Sequence, residues 1–380
     1  MNPDLAAPIT LRWPPQISFG AAGARAALGA LAGPAPRRVF LVTSPSVEGR
    51  ARELAGALVA GGAALEARTD VPAEPTVACC ERLRAAARAF APDLVLAVGG
   101  GSVLDVAKLV AAVHDRDEPA AAFYGIGLVP GRRVRLACVP TTAGTGSEVS
   151  PNALLYDEST STKKAVISPA LVPDAAIVDP RLMLSLPPGL TATTGLDALT
   201  HCIEVFANRA AHPAVDAFAL EGVRLIGANL ARAVADGSDL AARSAVALGS
   251  LYGGLGLGPV NTAAVHALAY PLGGEFHLAH GLSIALLLPH VVRFNVPALP
   301  ERHAALAQAL GAASAEELPE RLLALVRACG VRTGLGAHGI PREAFPRMVA
   351  AAMQVTRLLK NNPRLLTAPD AYAIYDAAYI

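Results

Sequence analysis

Leu94-Val95-Leu96-Ala97-Val98-Gly99-Gly100-Gly101-Ser102-Val103-Leu104-Asp105-Val106-Ala107-Lys108 sets an apolar run, a glycine triplet and an Ala/Leu/Val-rich stretch in immediate succession. A continuous apolar run suits a strand buried on both faces, and the stretch after the glycines predicts a helix. Strand, tight turn and helix together open a unit of a parallel α/β sheet. The glycines let the backbone approach a ligand closely and the first N–H groups of the helix point at it, so the turn is a seat for a pyrophosphate. Its spacing is not GxGxxG, and a purely structural tight turn accounts for it equally well. The longest apolar stretch, about 94 to 113, carries Asp105, Lys108 and the three glycines, which would make a membrane span costly.

On either side of this unit, 38–43, 136–139 and 175–178 read as further strands, the last two ending at Pro140 and at Asp179-Pro180, with helices over 46–61 and 77–90. After Leu186-Pro187-Pro188-Gly189 no strand-like alternation follows, and turn signals divide the rest into six to nine helices. The expected architecture is an α/β dinucleotide-binding domain with a parallel, Rossmann-like sheet over 1–186, followed by an all-α metal-binding domain over 187–380. A chain of 380 residues, 53% hydrophobic, is long enough for two cores. Its net charge of +1 and lack of basic blocks argue against nucleic acid or an anionic membrane as partner. Met1 to Thr10 lacks the basic start and apolar core of a signal peptide, which predicts a cytoplasmic protein. The five cysteines form no CxxC pair and read as free thiols in a reducing compartment.

Two more segments carry chemistry. Pro140-Thr141-Thr142-Ala143-Gly144-Thr145-Gly146-Ser147-Glu148 gathers four hydroxyl residues and two glycines after a strand. Such a loop binds diphosphate, ribose or an amide; alternatively it caps a following helix through Ser147 or Thr145. In the second half, Asp197 and His201 stand four apart, on one face of a helix. His266 and His280 follow, and the break at Pro271 to Gly274 lets the chain turn between them. One carboxylate and three imidazoles form a plausible divalent-metal set with room for a substrate oxygen.

Together, GGGSVLDVAK (99–108), PTTAGTGSE (140–148), DPRLMLSLP (179–187), GLDALTHCIE (195–204) and HALAYPLGGEFHLAHG (266–281) resemble the iron-containing, group III alcohol dehydrogenases, in that family's order and over nearly the whole chain. The resemblance implies a dehydroquinate synthase-like fold and a metal-dependent, NAD(P)H-linked alcohol dehydrogenase or aldehyde reductase. It transfers hydride between the nicotinamide C4 and a small alcohol or aldehyde whose oxygen a metal polarises. By position, Asp197, His201, His266 and His280 correspond to the ligands of Fe2+, with Zn2+ an alternative. Gly99, Gly100, Gly101, Ser102, Asp105, Thr141, Thr142 and Thr145 correspond to cofactor contacts. Ser147, Asn152, Lys164 and Leu182 fall in further cofactor-lining motifs, as does His280. A homodimer is the family expectation. Two other activities share the fold: metal-independent maleylacetate reduction, and a metal lyase reaction of the dehydroquinate synthase kind.

The chain departs from the family twice. Tyr270 stands where many members have a proton-relaying histidine, which passes the relay to His277 or to water, or leaves Tyr270 to shape the pocket. The strand ending Val42-Thr43-Ser44 lacks the acid that holds the adenosine ribose in NAD-preferring members, so Ser44 favours NADP(H), although Glu74 restores a negative charge nearby. A substrate bearing a carboxylate or phosphonate would need a cation, from Lys164 or another basic residue.

Overall fold

The computed structural model describes residues 4–159 and 162–380. Met1 to Pro3, on which part of the N-terminal reading rests, lie outside the described residues, as do Thr160 and Ser161. The chain forms two compact units, Leu11–Leu184 and Ser185–Ile380, the second including the N-terminal segment up to Thr10.

In the first unit the strands are β1 (Gln16–Phe19), β2 (Arg38–Val42), β3 (Ala64–Arg68), β4 (Leu94–Gly99), β5 (Gly125–Ile126), β6 (Arg135–Pro140), β7 (Asn152–Asp157), β8 (Thr162–Ile167) and β9 (Ala175–Val178). Its helices are α1 (Ala24–Gly29), α2 (Glu48–Ala60), α3 (Val77–Phe90) and α4 (Gly101–Val113). Six strands make one sheet in the order β1-β9-β6-β4-β2-β3, and every pairing in it is parallel. Along β4, Val95 and Ala97 enter the core under α3 and α4, while Leu94, Leu96 and Val98 enter the core under α1 and α2. Burial on both faces is why this strand is apolar throughout. The chain leaves β2 for β3 on one side and returns to β4 on the other. The order therefore reverses between β2 and β4, and the crevice beyond their carboxyl ends is where doubly wound sheets bind ligands.

Sequence patterning passed over β1, β3 and a small second sheet, β5-β8-β7. Ala-Leu-Glu-Ala-Arg in β3 has no β-branched residue, and β1 is a four-residue edge strand. The loop after Pro140 leads into β7, not into a helix, so helix capping by Ser147 or Thr145 is not what the loop is for.

The second unit holds α5 (Pro188–Phe206), α6 (Pro213–Ala235), α7 (Leu240–Leu257), α8 (Ala264–Phe276), α9 (His280–Asn295), α10 (Pro300–Leu310), α11 (Leu318–Ala328), α12 (Phe345–Met353), α13 (Thr356–Leu359) and α14 (Ala368–Ala377). These ten helices, with no strand among the described residues, exceed the six to nine expected because short pieces such as α13 carry no periodicity of their own. The break expected at Pro271 is absent, since α8 runs through that proline. The chain turns instead at His277, left-handed at φ 55°, where the Leu278 N–H reaches back to the Leu272 carbonyl.

All five cysteines are buried free thiols. Burial pushes Cys80, Cys138, Cys202 and Cys329 up to about 12, and raises Cys79 as well.

Candidate active site

Helix α5 places Asp197 and His201 one turn apart on a buried face. His266 comes from the first turn of α8 and His280 is the first residue of α9. The Asp197 Oδ1 stands 3.5 Å from His266 Nε2, 3.6 Å from His280 Nε2 and 3.7 Å from His201 Nε2. His201 and His266 bring their Nε2 atoms to 3.1 Å with the rings stacked. Ligand atoms held about 2.1 Å from one tetrahedral ion stand about 3.4 Å apart, so the atoms of Asp197, His201 and His266 are spaced as part of a coordination shell, which His280 approaches through Asp197. Asp197 Oδ1 is buried and accepts no hydrogen bond, a costly arrangement unless a cation faces it. The donor set therefore fits a divalent metal. His280, with its side chain 32% exposed, is the open side of the cluster.

Burial works against ionisation of Asp197, yet the charges of His201, His280 and His266 outweigh it and hold the carboxyl well below its ordinary value. For His266, burial acts downward and is overcome by the Glu204 and Asp197 carboxylates, which raise the imidazole to about 9. Glu204, passed over in the sequence, accepts a 2.6 Å hydrogen bond from His266 Nδ1.

Gly281, next to His280, lies directly on α5. A Cβ there would stand 2.3 Å from the Thr193 carbonyl oxygen and 2.7 Å from its carbon. Only glycine lets the start of α9 come this close, one turn before Asp197.

In the α/β unit, Thr43 Oγ1 donates to the Val98 carbonyl at 2.7 Å, tying β2 to β4 at the switch point. Ser44 follows, half-buried, its hydroxyl 3.2 Å from that of Ser46. None of Gly99, Gly100 and Gly101 has positive φ. They are needed for contact: a Cβ on Gly101 would stand 2.5 Å from Thr145 Cγ2, one on Gly100 3.2 Å from Thr142 Cγ2, and one on Gly99 2.6 Å from Val103. The triplet and the threonine loop are thus pressed together, with the Thr141 N–H donating to the Gly99 carbonyl. Ser102 donates its hydroxyl to the Ala73 carbonyl. Leu182 lies in the short turn after β9 and packs on the core beneath α2.

Further residues of the expected cofactor set are hydrogen-bonded within the protein. The Ser147 hydroxyl donates to Asp105 at 2.5 Å, and the other oxygen of Asp105 accepts from the Leu154 N–H. The fully buried Lys108 ammonium donates to the Ser147 carbonyl and hydroxyl, to Ser150 and to the Asn152 carbonyl. Asp105 and Ser147 thereby brace the loop from beneath through the buried Lys108. Asn152 lends Lys108 its backbone, while its side-chain oxygen is buried without a hydrogen bond. Lys164 sits on β8 opposite Leu155. Its neighbour Lys163 pairs with Glu74 at 2.7 Å, so Glu74 does not present an unopposed charge.

Glu148 is buried in the same loop, and burial pushes its carboxyl up from 4.5 to about 7. The fold thus favours the protonated form: the stability this contributes is complete below pH 4.5 and is lost as pH rises through 7, by about 3 kcal/mol at about 1.4 kcal/mol per unit. Glu148→Gln is expected to raise the melting temperature at pH 8 and to leave it nearly unchanged at pH 4.5. Equal shifts at both pH values would contradict this account.

Tyr270 lies one turn after His266 on α8. Burial raises its phenol, and a hydrogen bond and charge from Arg357 partly counter that. His277 is exposed at the end of α8, and among the described residues it makes no hydrogen bond to a ligand residue.

The model of the family "Iron-containing alcohol dehydrogenase" matches residues 14–180, and that of "Fe-containing alcohol dehydrogenase family, C-terminal" matches residues 191–379. Long-chain-alcohol dehydrogenase 1 of Geobacillus thermodenitrificans is 39% identical over 360 residues, 90% of each chain. Sulfoacetaldehyde reductase of Bilophila wadsworthia is 34% identical over 90% of this chain and 92% of its own. The crystal structure of sulfoacetaldehyde reductase from Bifidobacterium kashiwanohense in complex with NAD+ superposes with a TM-score of 0.89 at 28% identity, covering 100% of this chain and 99% of that one.

Proposed function

Because the chain belongs to the iron-containing alcohol dehydrogenase family and is a metal-dependent, nicotinamide-linked alcohol dehydrogenase or aldehyde reductase, we propose that Asp197, His201, His266 and His280 hold its metal. The observation that carries this is the buried Asp197 oxygen, without a hydrogen bond and faced by three imidazole nitrogens. When bound, Fe2+ or Zn2+ supplies Lewis acidity toward the alcohol or carbonyl oxygen. The reaction is reversible hydride transfer between the nicotinamide C4 and the carbon bearing that oxygen.

The chain's own residues orient the reactants. Gly99 to Ser102 and the N–H groups of the first turn of α4 bind the cofactor diphosphate, and Thr141, Thr142 and Thr145 line the same seat. Asp105, Lys108 and Ser147 keep that seat rigid from below. Tyr270, with its phenol raised, stays protonated at neutral pH and so donates a hydrogen bond to the substrate; the proton itself leaves to water. A substrate with an acidic tail is favoured over a plain alcohol by Arg357, a cation hydrogen-bonded to Tyr270 one turn after His266. The sulfoacetaldehyde reductases among the relatives support the same reading. The clustering of Asp197, His201 and His266, with His280 beside Asp197, disfavours the metal-independent maleylacetate reductase reading, and the kinship to named dehydrogenases disfavours a lyase. We place the enzyme in the cytoplasm as a homodimer.

NADP(H) is the preferred cofactor in this reading: β2 ends without an acid, and Lys163 neutralises Glu74. The test is oxidation of an alcohol panel, with and without acidic groups, using NAD+ and NADP+ before and after chelation. Ser44→Asp is expected to move the ratio of kcat/KM at least about tenfold toward NAD(H), the worth of one charge contact of about 1.4 kcal/mol. An unchanged ratio would remove Ser44 from the ribose site, and turnover untouched by chelation would remove the metal.

A further inference from the structure

Helix α5 carries a polar stripe that its two ligands, Asp197 and His201, do not exhaust. Asp197, His201, Glu204 and Asn208 follow at intervals of four, three and four, the last just beyond the helix, and each is at most 5% exposed. Their neighbours on the helix, Leu196, Ala198, Leu199, Val205 and Phe206, are apolar. A carboxylate as buried as Glu204 is costly unless its oxygens are satisfied, and they are. Oε2 accepts from His266 Nδ1 at 2.6 Å and from the Ala263 N–H at 3.0 Å, and Oε1 accepts from the Val265 N–H at 2.7 Å.

Two of these bonds compensate for a missing cap. Helix α8 begins after Ala263, which has no side-chain acceptor for the orphan N–H groups of the first turn, and Glu204 supplies one from another helix. The bend before α8 is held from further sides. Asn208 Nδ2 donates to the Glu204 and Asn261 carbonyls, Asn261 is left-handed at φ 77°, and Asn361 Nδ2 donates to the Thr262 carbonyl. The third bond acts on a ligand. An imidazole that donates through Nδ1 presents the Nε2 lone pair, and the Nε2 of His266 is the atom facing Asp197.

We propose that Glu204 is a positioning residue of the metal centre: it holds His266 in the Nδ1–H tautomer and sets the ring where Nε2 meets the other three ligand atoms. This rests on the reading of Asp197, His201, His266 and His280 as the metal site. Glu204 touches neither substrate nor cofactor in this account; it acts through the affinity and geometry of the ligand set.

The test is the affinity of the full chain for Zn2+, by competition with a chromophoric chelator, in the wild type, Glu204→Gln, His266→Ala and the double variant. Glu204→Gln is expected to weaken Zn2+ binding roughly 10- to 100-fold, and to shift the visible spectrum of the Co2+-substituted protein. In the His266→Ala background the same substitution is expected to change affinity less than about threefold, because the ring it acts through is gone. Equal losses in both backgrounds, or a Glu204→Gln protein that binds within about threefold of wild type, would overturn the proposal. If Glu204→Gln does not fold, Zn2+-loaded wild type with 15N-labelled histidine decides: a proton on Nδ1 of His266 with metal on Nε2 supports the role, and the reverse arrangement ends it. A wild type that takes up no divalent metal fails the metal-site reading itself and the proposal with it, whereas a failure confined to Glu204 leaves wild-type binding intact.

Discussion

His266→Ala is expected to bind added Zn2+ only weakly, so that no stoichiometric Fe or Zn survives purification, and its kcat/KM for alcohol oxidation is expected to fall at least about a thousandfold. The magnitude follows from losing Lewis-acid stabilisation worth several kcal/mol, at about 1.4 kcal/mol per factor of ten. The imidazole is one of three nitrogens around Asp197 Oδ1, and its removal also strips the buried Glu204 of its charge-assisted partner. Elemental analysis and steady-state kinetics read both effects. The Gly99 to Ser102 seat belongs to the other unit, so affinity for the nicotinamide nucleotide is expected to stay within about threefold of wild type. A metal-free His266→Ala protein with full activity would return the chain to the metal-independent branch.

Gly281→Ala is expected to lower kcat/KM roughly a hundredfold without removing a single functional group. The new methyl would meet the backbone of Thr193 at 2.3 Å, and backbone cannot rotate away as a side chain can. The start of α9 must move off α5, carrying His280 from the point where its Nε2 stands 3.6 Å from Asp197. A displacement of about 1 Å at a reacting centre costs about two powers of ten, and overpacking costs a further 1–3 kcal/mol of stability. Zn2+ affinity, kcat/KM and melting temperature should therefore fall together. Unchanged Zn2+ affinity would mean that α9 accommodates the methyl by a shift that spares His280.

The strand-turn-helix at 94–108 and the helical second half were legible because burial on two faces and burial on one stripe leave different periods in a sequence. The spacing of Asp197 and His201 was legible for the same reason. What stayed hidden depends on direction. Ser147 and Thr145 are both hydroxyl residues of one loop, and nothing local says that Ser147 turns inward to Asp105 and Lys108. Lys108 did leave a trace, as the lone cation in an apolar helical stretch three residues after Asp105. Glu204 left one too, seven residues after Asp197 on the same face. Pro271 misled because a proline within a helix marks a break only when neighbouring contacts do not hold the helix, and α8 continues to a left-handed stop at His277. Strands β7 and β8 form a hairpin outside the main sheet, and they lack the apolar continuity that revealed β4.

The five buried thiols divide between the units, with Cys79, Cys80 and Cys138 in the sheet unit and Cys202 and Cys329 in the helical one. Thiolate is the reactive form, and burial keeps all five protonated, so an alkylating reagent reaches them only when the chain opens. Labelling kinetics followed peptide by peptide thus report two separate opening free energies from the unmodified protein, with no engineered probe. Adding metal should slow alkylation at Cys202, which follows His201 directly in the chain, while labelling of Cys138 reports the sheet independently.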